Sequence, residues 1–89
     1  STHKGRTHRL VMVLLFNLGL RRSELTQIKL EHIFQDRGHE VLRVYGKGDK
    51  ERLIPLNQHV RVEIRNYLGA LAESGVAMEP QDYLLQTEL

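Results

Sequence analysis

Hydrophobic residues follow one another almost without interruption over residues 7–18. A run of this length predicts a buried helix rather than a strand, and Gly19 directly after it suits the left-handed turn that ends many helices. The polar residues 1–6 that precede it are expected to be frayed. A second helix is predicted over residues 22–28, because two of its apolar residues lie three apart on one face and Ser23 can cap its start.

The apolar pattern then changes to a period of two. Residues 41–45 alternate in the way that predicts a half-buried strand, and residues 46–50 (GKGDK) have the composition of a turn. Residues 53–56 form the returning strand, and a short strand at residues 33–34 completes three antiparallel strands. Pro55 comes late in the third strand, which predicts that this strand lies at an edge of the sheet or ends there.

A third helix is predicted over Gln58–Glu73, with Asn57 as its N-cap. Its apolar residues form one stripe at helical spacing: Val60, Ile64, Tyr67, Leu68 and Leu71. Two helices, a small meander and a further helix predict an α+β fold, in which helices pack beside a small three-stranded antiparallel sheet.

The composition is that of one small globular domain over residues 1–89, and a chain this short can also be a piece of a larger protein. Cysteine is absent, so disulfides, thiolate metal sites and cysteine nucleophiles are excluded. The longest apolar run, residues 10–16, is too short to cross a bilayer, and no secretory signal is recognisable. These features predict a cytoplasmic protein without a membrane partner.

The net charge of +2 conceals a gradient along the chain. Residues 1–30 hold six basic residues against one acidic residue, residues 31–60 hold five of each, and residues 61–89 hold two basic against five acidic residues. The net charges are therefore +5, 0 and −3. This polarity favours an anionic partner on the N-terminal two-thirds, although an unevenly charged solvated surface explains it equally well.

Two familiar kinds of site are not predicted. Residues 46–48 (GKG) lack the spacing and the following Ser or Thr of a phosphate-binding P-loop, and they lie in a hairpin rather than before a helix. The five histidines show no pair at i, i+4 with a nearby carboxylate, so no metal site is expected. The hairpin does place a lysine, Lys47, at its tip between two glycines.

Two arginines, Arg21 and Arg22, lie where the first helix has ended and the second begins. Helix starts favour anions, so cationic side chains there are mildly unfavourable unless an anion binds. Glu24 follows Arg21 by three residues and is expected to orient its guanidinium. The alternative is an ordinary surface ion pair, worth about 0–1 kcal/mol.

Two segments together resemble the tyrosine recombinase (phage integrase) family. Residues 19–25 (GLRRSEL) are similar to that family's first-arginine motif, G-[LM]-R-x-S-E-L. Residues 46–56 (GKGDKERLIPL) are similar to its hairpin motif, G-K-G-x-K-x-R-x-[IV]-P-L. The two motifs occur in the family's order and at a fitting separation, and the resemblance covers about residues 7–86.

The resemblance implies a role for each matched residue in DNA strand cleavage and rejoining through a 3′-phosphotyrosyl intermediate, without metal or other cofactor. Arg21 would bind the scissile phosphate, with Glu24 supporting it. Lys47 would donate a proton to the departing 5′-hydroxyl. Basic residues beside the two motifs would contact the backbone of double-stranded DNA: Arg22, Lys50 and Arg52.

The sequence also departs from the family pattern. The family completes its site with a His-x-x-Arg pair, a further His or Trp and a nucleophilic tyrosine, all after the hairpin. Here His3 and Arg6 have the spacing of the pair but precede the first motif, and the chain stops at Leu89 before the tyrosine is expected. Tyr83 lies at the family's short Tyr-Leu-Phe-like segment, so it is not expected to be the nucleophile.

We therefore expect a truncated catalytic domain, its N-terminal half, that is inactive alone and that works with other recombinase protomers in the complete protein. A non-catalytic DNA-binding module that retains the phosphate-contacting surface is the first alternative. A small interaction domain whose basic half contacts a protein is the second.

Overall fold

Two long helices, α1 and α3, pack against each other and against one face of a small sheet. The structure, a computed structural model, describes residues 3–86. The helices and strands run in the order α1 (His3–Leu18), α2 (Arg22–Leu25), β1 (Ile33–Asp36), β2 (His39–Tyr45), β3 (Glu51–Pro55) and α3 (Gln58–Glu73). Single 3₁₀ turns precede β1 and join β2 to β3. The predicted α+β class is confirmed.

The sheet has the order β1-β2-β3, and both strand pairs are antiparallel. The register places Leu42 opposite both Ile33 and Ile54, and Leu42 and Val44 on β2 face the core. Pro55 is the last residue of β3, an edge strand, which confirms its predicted position because a proline cannot donate to a neighbouring strand. β1 extends two residues beyond the predicted pair.

The core lies between the two long helices and the inner face of the sheet. Thr7 on α1 is buried there, and its hydroxyl lies 3.3 Å from the phenol oxygen of Tyr67 on α3. The fully buried apolar side chains come from every part of the fold: Leu10, Leu14, Leu25, Leu42, Val44, Val60, Leu71 and Leu84. This packing fixes α2 and the hairpin relative to each other.

The ends of α3 are as predicted. The Asn57 carboxamide oxygen accepts a hydrogen bond from the Val60 backbone N–H at 2.9 Å, which satisfies one free donor of the first turn. The helix ends at Ser74 and Gly75, where the glycine has φ +86°. α1, in contrast, begins at His3, so the prediction of a frayed segment is wrong for residues 3–6; residues 1 and 2 lie outside the described residues.

The second helix is shorter than predicted and is capped differently. It ends at Leu25, and residues 26–28 form tight turns instead. A contact with a distant part of the chain explains this early end. The Ile28 carbonyl accepts a hydrogen bond from the Leu84 N–H at 2.9 Å, so this segment pairs with the C-terminal part of the chain instead of continuing the helix. Arg21, not Ser23, is the N-cap residue.

None of the helices described in residues 3–86 is long and apolar enough to span a membrane.

Candidate functional site

An open pocket lies between the start of α2 and the hairpin that joins β2 to β3. It combines residues that are distant in the sequence, because the core holds α2 against the sheet. Residues from both segments line it: Arg21, Ser23, Glu24, Gln27, Tyr45, Gly46 and Lys47. Three of the predicted site residues therefore come together here, namely Arg21, Glu24 and Lys47.

Arg21 is exposed, although buried leucines lie on both sides of it in the sequence. Leu20 is buried on one side and Leu25 anchors α2 on the other, while Arg21 itself is in an extended conformation and exposed. Within residues 3–86 its guanidinium has no hydrogen bond or ion pair to another side chain. A guanidinium presents a planar set of N–H donors that matches two phosphate oxygens, so Arg21 is available for an anion.

Glu24 supports the start of α2 in a different way from the one expected. Its Oε1 accepts the backbone N–H of Arg21 at 2.8 Å, whereas its ion pair is with the Arg52 guanidinium on β3. The Arg52 Nη2 atom lies 3.2 Å from Oε1 and 3.3 Å from Oε2 of this carboxylate. The expected contact of Glu24 with the Arg21 guanidinium is not formed, and Glu24 fixes the backbone of Arg21 instead.

Lys47 lies at the tip of the hairpin, in a turn that places Gly48 and Asp49 in the left-handed region. The Gly46 N–H donates to the Lys50 carbonyl at 2.8 Å and closes the turn, and Gly48 has φ +73°. The Lys47 side chain is exposed and forms no ion pair with any other residue from 3 to 86. It is therefore a cation held at the rim of the pocket without a partner in this part of the chain.

The three residues expected to contact the DNA backbone have different surroundings. Arg22 and Lys50 are exposed beside the pocket but do not line it, and no ion pair within the described part of the chain holds them. The Arg52 guanidinium forms an ion pair with Glu24. Two of these three cations therefore have no ion pair in the described residues, and the third pairs with a residue that lines the pocket.

Three lining residues were not predicted from the sequence: Ser23, Gln27 and Tyr45. Gln27 lies in the turn after α2, where helical periodicity gives no signal. Tyr45 could have been found, because it alternates with the buried Val44 and directly precedes the hairpin motif. All three are uncharged polar residues, so they add hydrogen-bonding capacity without opposing an anion.

Tyr45 is held by a second aromatic ring. Its ring packs edge-to-face on His32, with centroids 5.6 Å apart. The Nδ1 atom of His32 accepts the Lys29 N–H at 2.9 Å, which requires that nitrogen to be unprotonated. Burial is the main cause that lowers the pKa of His32, so the ring is neutral at physiological pH and orients Tyr45 without adding charge.

Other candidates lie away from the pocket. Tyr83 pairs its backbone with Lys29 in an isolated bridge, and the Lys29 Nζ atom lies 5.6 Å from the centre of its ring. Tyr67 is buried in the core, where its hydroxyl accepts the Gln86 N–H at 2.9 Å. Within the described ranges, no group of three or more His, Asp or Glu side chains could hold a metal ion.

The pocket is suited to an anion with several oxygens. Two cations without an ion pair in the described residues line it, one at the N-cap of α2 and one on the hairpin, and the acidic side chain among its lining residues is neutralised by Arg52. A phosphate diester carries one negative charge on two exposed oxygens, so it fits a guanidinium on one side and an ammonium on the other.

The chain is similar to proteins of a known family. The model of the phage integrase family matches residues 2–87. The chain is 44% identical over 83 residues to tyrosine recombinase XerC of Staphylococcus carnosus, and 47% identical over 60 residues to tyrosine recombinase XerA of Pyrococcus furiosus. These matches cover 93% and 67% of this chain but only 27% and 21% of the two relatives.

A solved structure shares the fold. The XerH site-specific recombinase, bound to its palindromic difH substrate in a post-cleavage complex, matches with a TM-score of 0.67 and 25% sequence identity. The match covers 81% of this chain and 20% of that one. The chain thus spans about a quarter or less of the length of these relatives.

Proposed function

Because the chain belongs to the phage integrase family, we propose that it supplies the phosphate-binding and proton-donating part of a tyrosine recombinase active site. The proposed reaction breaks and rejoins DNA strands through a 3′-phosphotyrosyl intermediate. The observation that carries the proposal is the pocket that Arg21 and Lys47 both line, each without an ion pair to another described residue. Its partners would be double-stranded DNA and further recombinase protomers.

In the proposed reaction, Arg21 binds the two non-bridging oxygens of the scissile phosphate. Charge builds on these oxygens when a tyrosine hydroxyl attacks phosphorus, so a guanidinium placed there stabilises the transition state more than the ground state. The N–H bond of Arg21 to Glu24 fixes the backbone from which the guanidinium extends. The tyrosine itself belongs to a part of the recombinase outside the residues described here.

Lys47 completes the proposed step by protonating the leaving group. As the P–O bond to the tyrosine forms, the bond from phosphorus to the 5′ oxygen breaks, and the ammonium gives its proton to that oxygen. No net oxidation occurs and no energy source is needed, because one phosphodiester replaces another. Arg22 and Lys50, which are exposed beside the pocket, would bind neighbouring phosphates without reading sequence.

A chimera tests this proposal. The chain replaces the matching segment of Staphylococcus carnosus XerC, and a nicked suicide substrate traps the covalent protein–DNA complex for a denaturing gel. We expect the chimera to form the complex and Arg21→Ala to slow its formation by about 10²–10³-fold. Arg65→Ala, which removes the same charge from the exposed side of α3, should leave the rate unchanged.

Two results would contradict the proposal. If the Arg21→Ala chimera forms the covalent complex at the full rate, Arg21 does not bind the scissile phosphate. A chimera that binds duplex DNA as tightly as XerC but forms no covalent complex would favour the alternative, a non-catalytic DNA-binding module.

A further inference from the structure

Arg52 forms the one ion pair between the hairpin and α2 in the described part of the chain. Its Nη2 atom donates to both carboxylate oxygens of Glu24, at 3.2 and 3.3 Å. The Glu24 side chain is only 10% exposed, whereas that of Arg52 is 51% exposed. Arg52 therefore extends from an exposed strand to cover a carboxylate that is largely removed from water.

Glu24 connects three elements of the site. It accepts the Arg21 N–H at 2.8 Å, it pairs with Arg52 on β3, and its Oε2 would lie 3.5 Å from a Cβ atom at position 46. The base of the hairpin that carries Lys47 therefore packs beside this carboxylate. Any movement of Glu24 would affect both sides of the pocket.

An unpaired Glu24 would also oppose the ligand. A buried carboxylate without a partner is costly, and one that lines an anion pocket repels a phosphate. The ion pair with Arg52 compensates the charge of Glu24 and reduces its repulsion of a bound phosphate. A second cation of the same hairpin, Arg43, pairs with Glu51 instead, and neither residue lines the pocket.

We propose that Arg52 is a positioning residue, which neutralises Glu24 and holds the Lys47 turn against the start of α2, and that it is not a contact to the DNA backbone. This inference rests on the proposed function, because Lys47 must deliver a proton for its position to matter. Arg52 would then affect cleavage by neutralising Glu24 and positioning Lys47. The resemblance to the hairpin motif had instead implied a contact of Arg52 with the DNA backbone.

The first test is a pair of linked substitutions in the 89-residue chain. Binding to a fluorescent DNA duplex is measured over a range of salt. Arg52→Gln leaves Glu24 unpaired and should weaken binding by about tenfold. Adding Glu24→Gln removes the repulsion, while its amide oxygen still accepts the Arg21 N–H, so the double variant should recover to within about twofold of the wild type.

The salt dependence separates the two roles of Arg52. A positioning residue leaves the slope of the double variant equal to that of the wild type, whereas loss of a phosphate contact lowers the slope by about one. Arg43→Gln is the matched control, since it removes the same charge from the same hairpin. An additive loss in the double variant, or a lower slope, overturns the proposal. If Arg52→Gln does not fold, as judged by circular dichroism, the double variant is compared with Glu24→Gln alone: equal slopes support the positioning role, and a slope lower by about one overturns it.

The second test asks whether Arg52 acts through Lys47. The chimera with XerC is given a substrate in which sulfur replaces the bridging 5′ oxygen, because a thiolate leaves without being protonated. Arg52→Gln should slow cleavage of the oxygen substrate about tenfold more than that of the sulfur substrate. Equal losses on both substrates overturn the proposal, because a purely structural defect does not distinguish the leaving groups.

The Arg21→Ala variant distinguishes failure of the Arg52 proposal from failure of the proposed function. If that function is wrong, Arg21→Ala leaves cleavage of either substrate unchanged. If only the Arg52 inference is wrong, Arg21→Ala still slows cleavage of both substrates, while Arg52→Gln shows equal losses on the two.

Discussion

Arg21 and Lys47 line one pocket although they belong to different elements, the N-cap of α2 and the tip of the β2–β3 hairpin. Arg21 is fixed through its backbone N–H, whereas Lys47 depends on a turn closed by the Gly46 N–H bond to Lys50. One cation therefore has a rigid base and the other lies on a hairpin turn. This difference fits the proposed roles, since the phosphate must be held while the proton must be delivered.

Lys47→Ala should lose the proton donor but keep phosphate binding. We expect cleavage of an ordinary suicide substrate by the XerC chimera to slow by about 10²–10⁴-fold. A substrate with sulfur at the bridging 5′ position should restore most of the rate, because its leaving group needs no proton. Single-turnover rates on the two substrates provide the measurement.

Arg21→Ala is the control for that rescue. Its defect is in binding the non-bridging oxygens, so sulfur at the bridging position should not restore its rate. Rescue of both variants would mean that the sulfur substrate reacts without the site, and rescue of neither would remove the proton-donor role from Lys47.

Duplex binding by the 89-residue chain should be weak and strongly dependent on salt. The unpaired cations in and beside the pocket, Arg21, Arg22, Lys47 and Lys50, are the groups expected to displace counterions from the phosphates. Lys50→Ala should lower the slope of log affinity against log salt by about one and act equally on unrelated sequences. Fluorescence anisotropy over about 50–200 mM salt measures this. An affinity independent of salt would favour a protein partner instead.

Local signals in the sequence were sufficient for most of the fold. The turn composition of residues 46–50 and the late position of Pro55 predicted the hairpin and its edge strand, and Asn57 predicted the start of α3. In each case the deciding interaction lies within a few residues, so the pattern contains it. The two motifs likewise contain Arg21, Glu24 and Lys47, although they do not reveal the pocket that these residues line.

Interactions between distant residues could not be predicted in this way. The early end of α2 depends on the Leu84 N–H bond to the Ile28 carbonyl, and nothing in the pattern of residues 22–28 indicates it. The ion pair of Glu24 with Arg52 joins α2 to β3, and both residues have closer alternatives in the sequence. Such contacts depend on how whole elements pack against each other, which the local sequence pattern does not contain.

The pair of Arg9 on α1 and Glu63 on α3 should make stability depend on pH. Two hydrogen bonds join them, at 2.9 and 3.0 Å. The hydrogen bond from Arg9 is the main cause that lowers the pKa of Glu63, and the same contact raises the pKa of Arg9. Because the pKa of Glu63 is lower in the folded chain, its stabilisation is present above the unfolded value, about 4.3, and is lost as the pH falls through the folded value.

Glu63→Gln should therefore lower the melting temperature near neutral pH, and the difference from the wild type should shrink between about pH 5 and about pH 3. Protonation of His32 acts on both proteins and cancels in the difference. Thermal melts followed by circular dichroism measure it. Glu51→Gln removes a carboxylate that is 46% exposed, against 11% for Glu63, and should show a smaller difference at every pH. A difference for Glu63→Gln that stays constant with pH would contradict the expectation.

Asn57→Ala tests the cap that begins α3. The carboxamide oxygen accepts the Val60 N–H at 2.9 Å, and without it that donor has no partner in the first turn. We expect the free energy of unfolding to fall by about 1 kcal/mol. Asn57→Asp keeps an accepting oxygen and should lose little, whereas Gln58→Ala, at the next exposed position, should be nearly neutral. Urea unfolding with unchanged m-values measures all three, and equal losses for Asn57→Ala and Asn57→Asp would show that the cap does not stabilise α3.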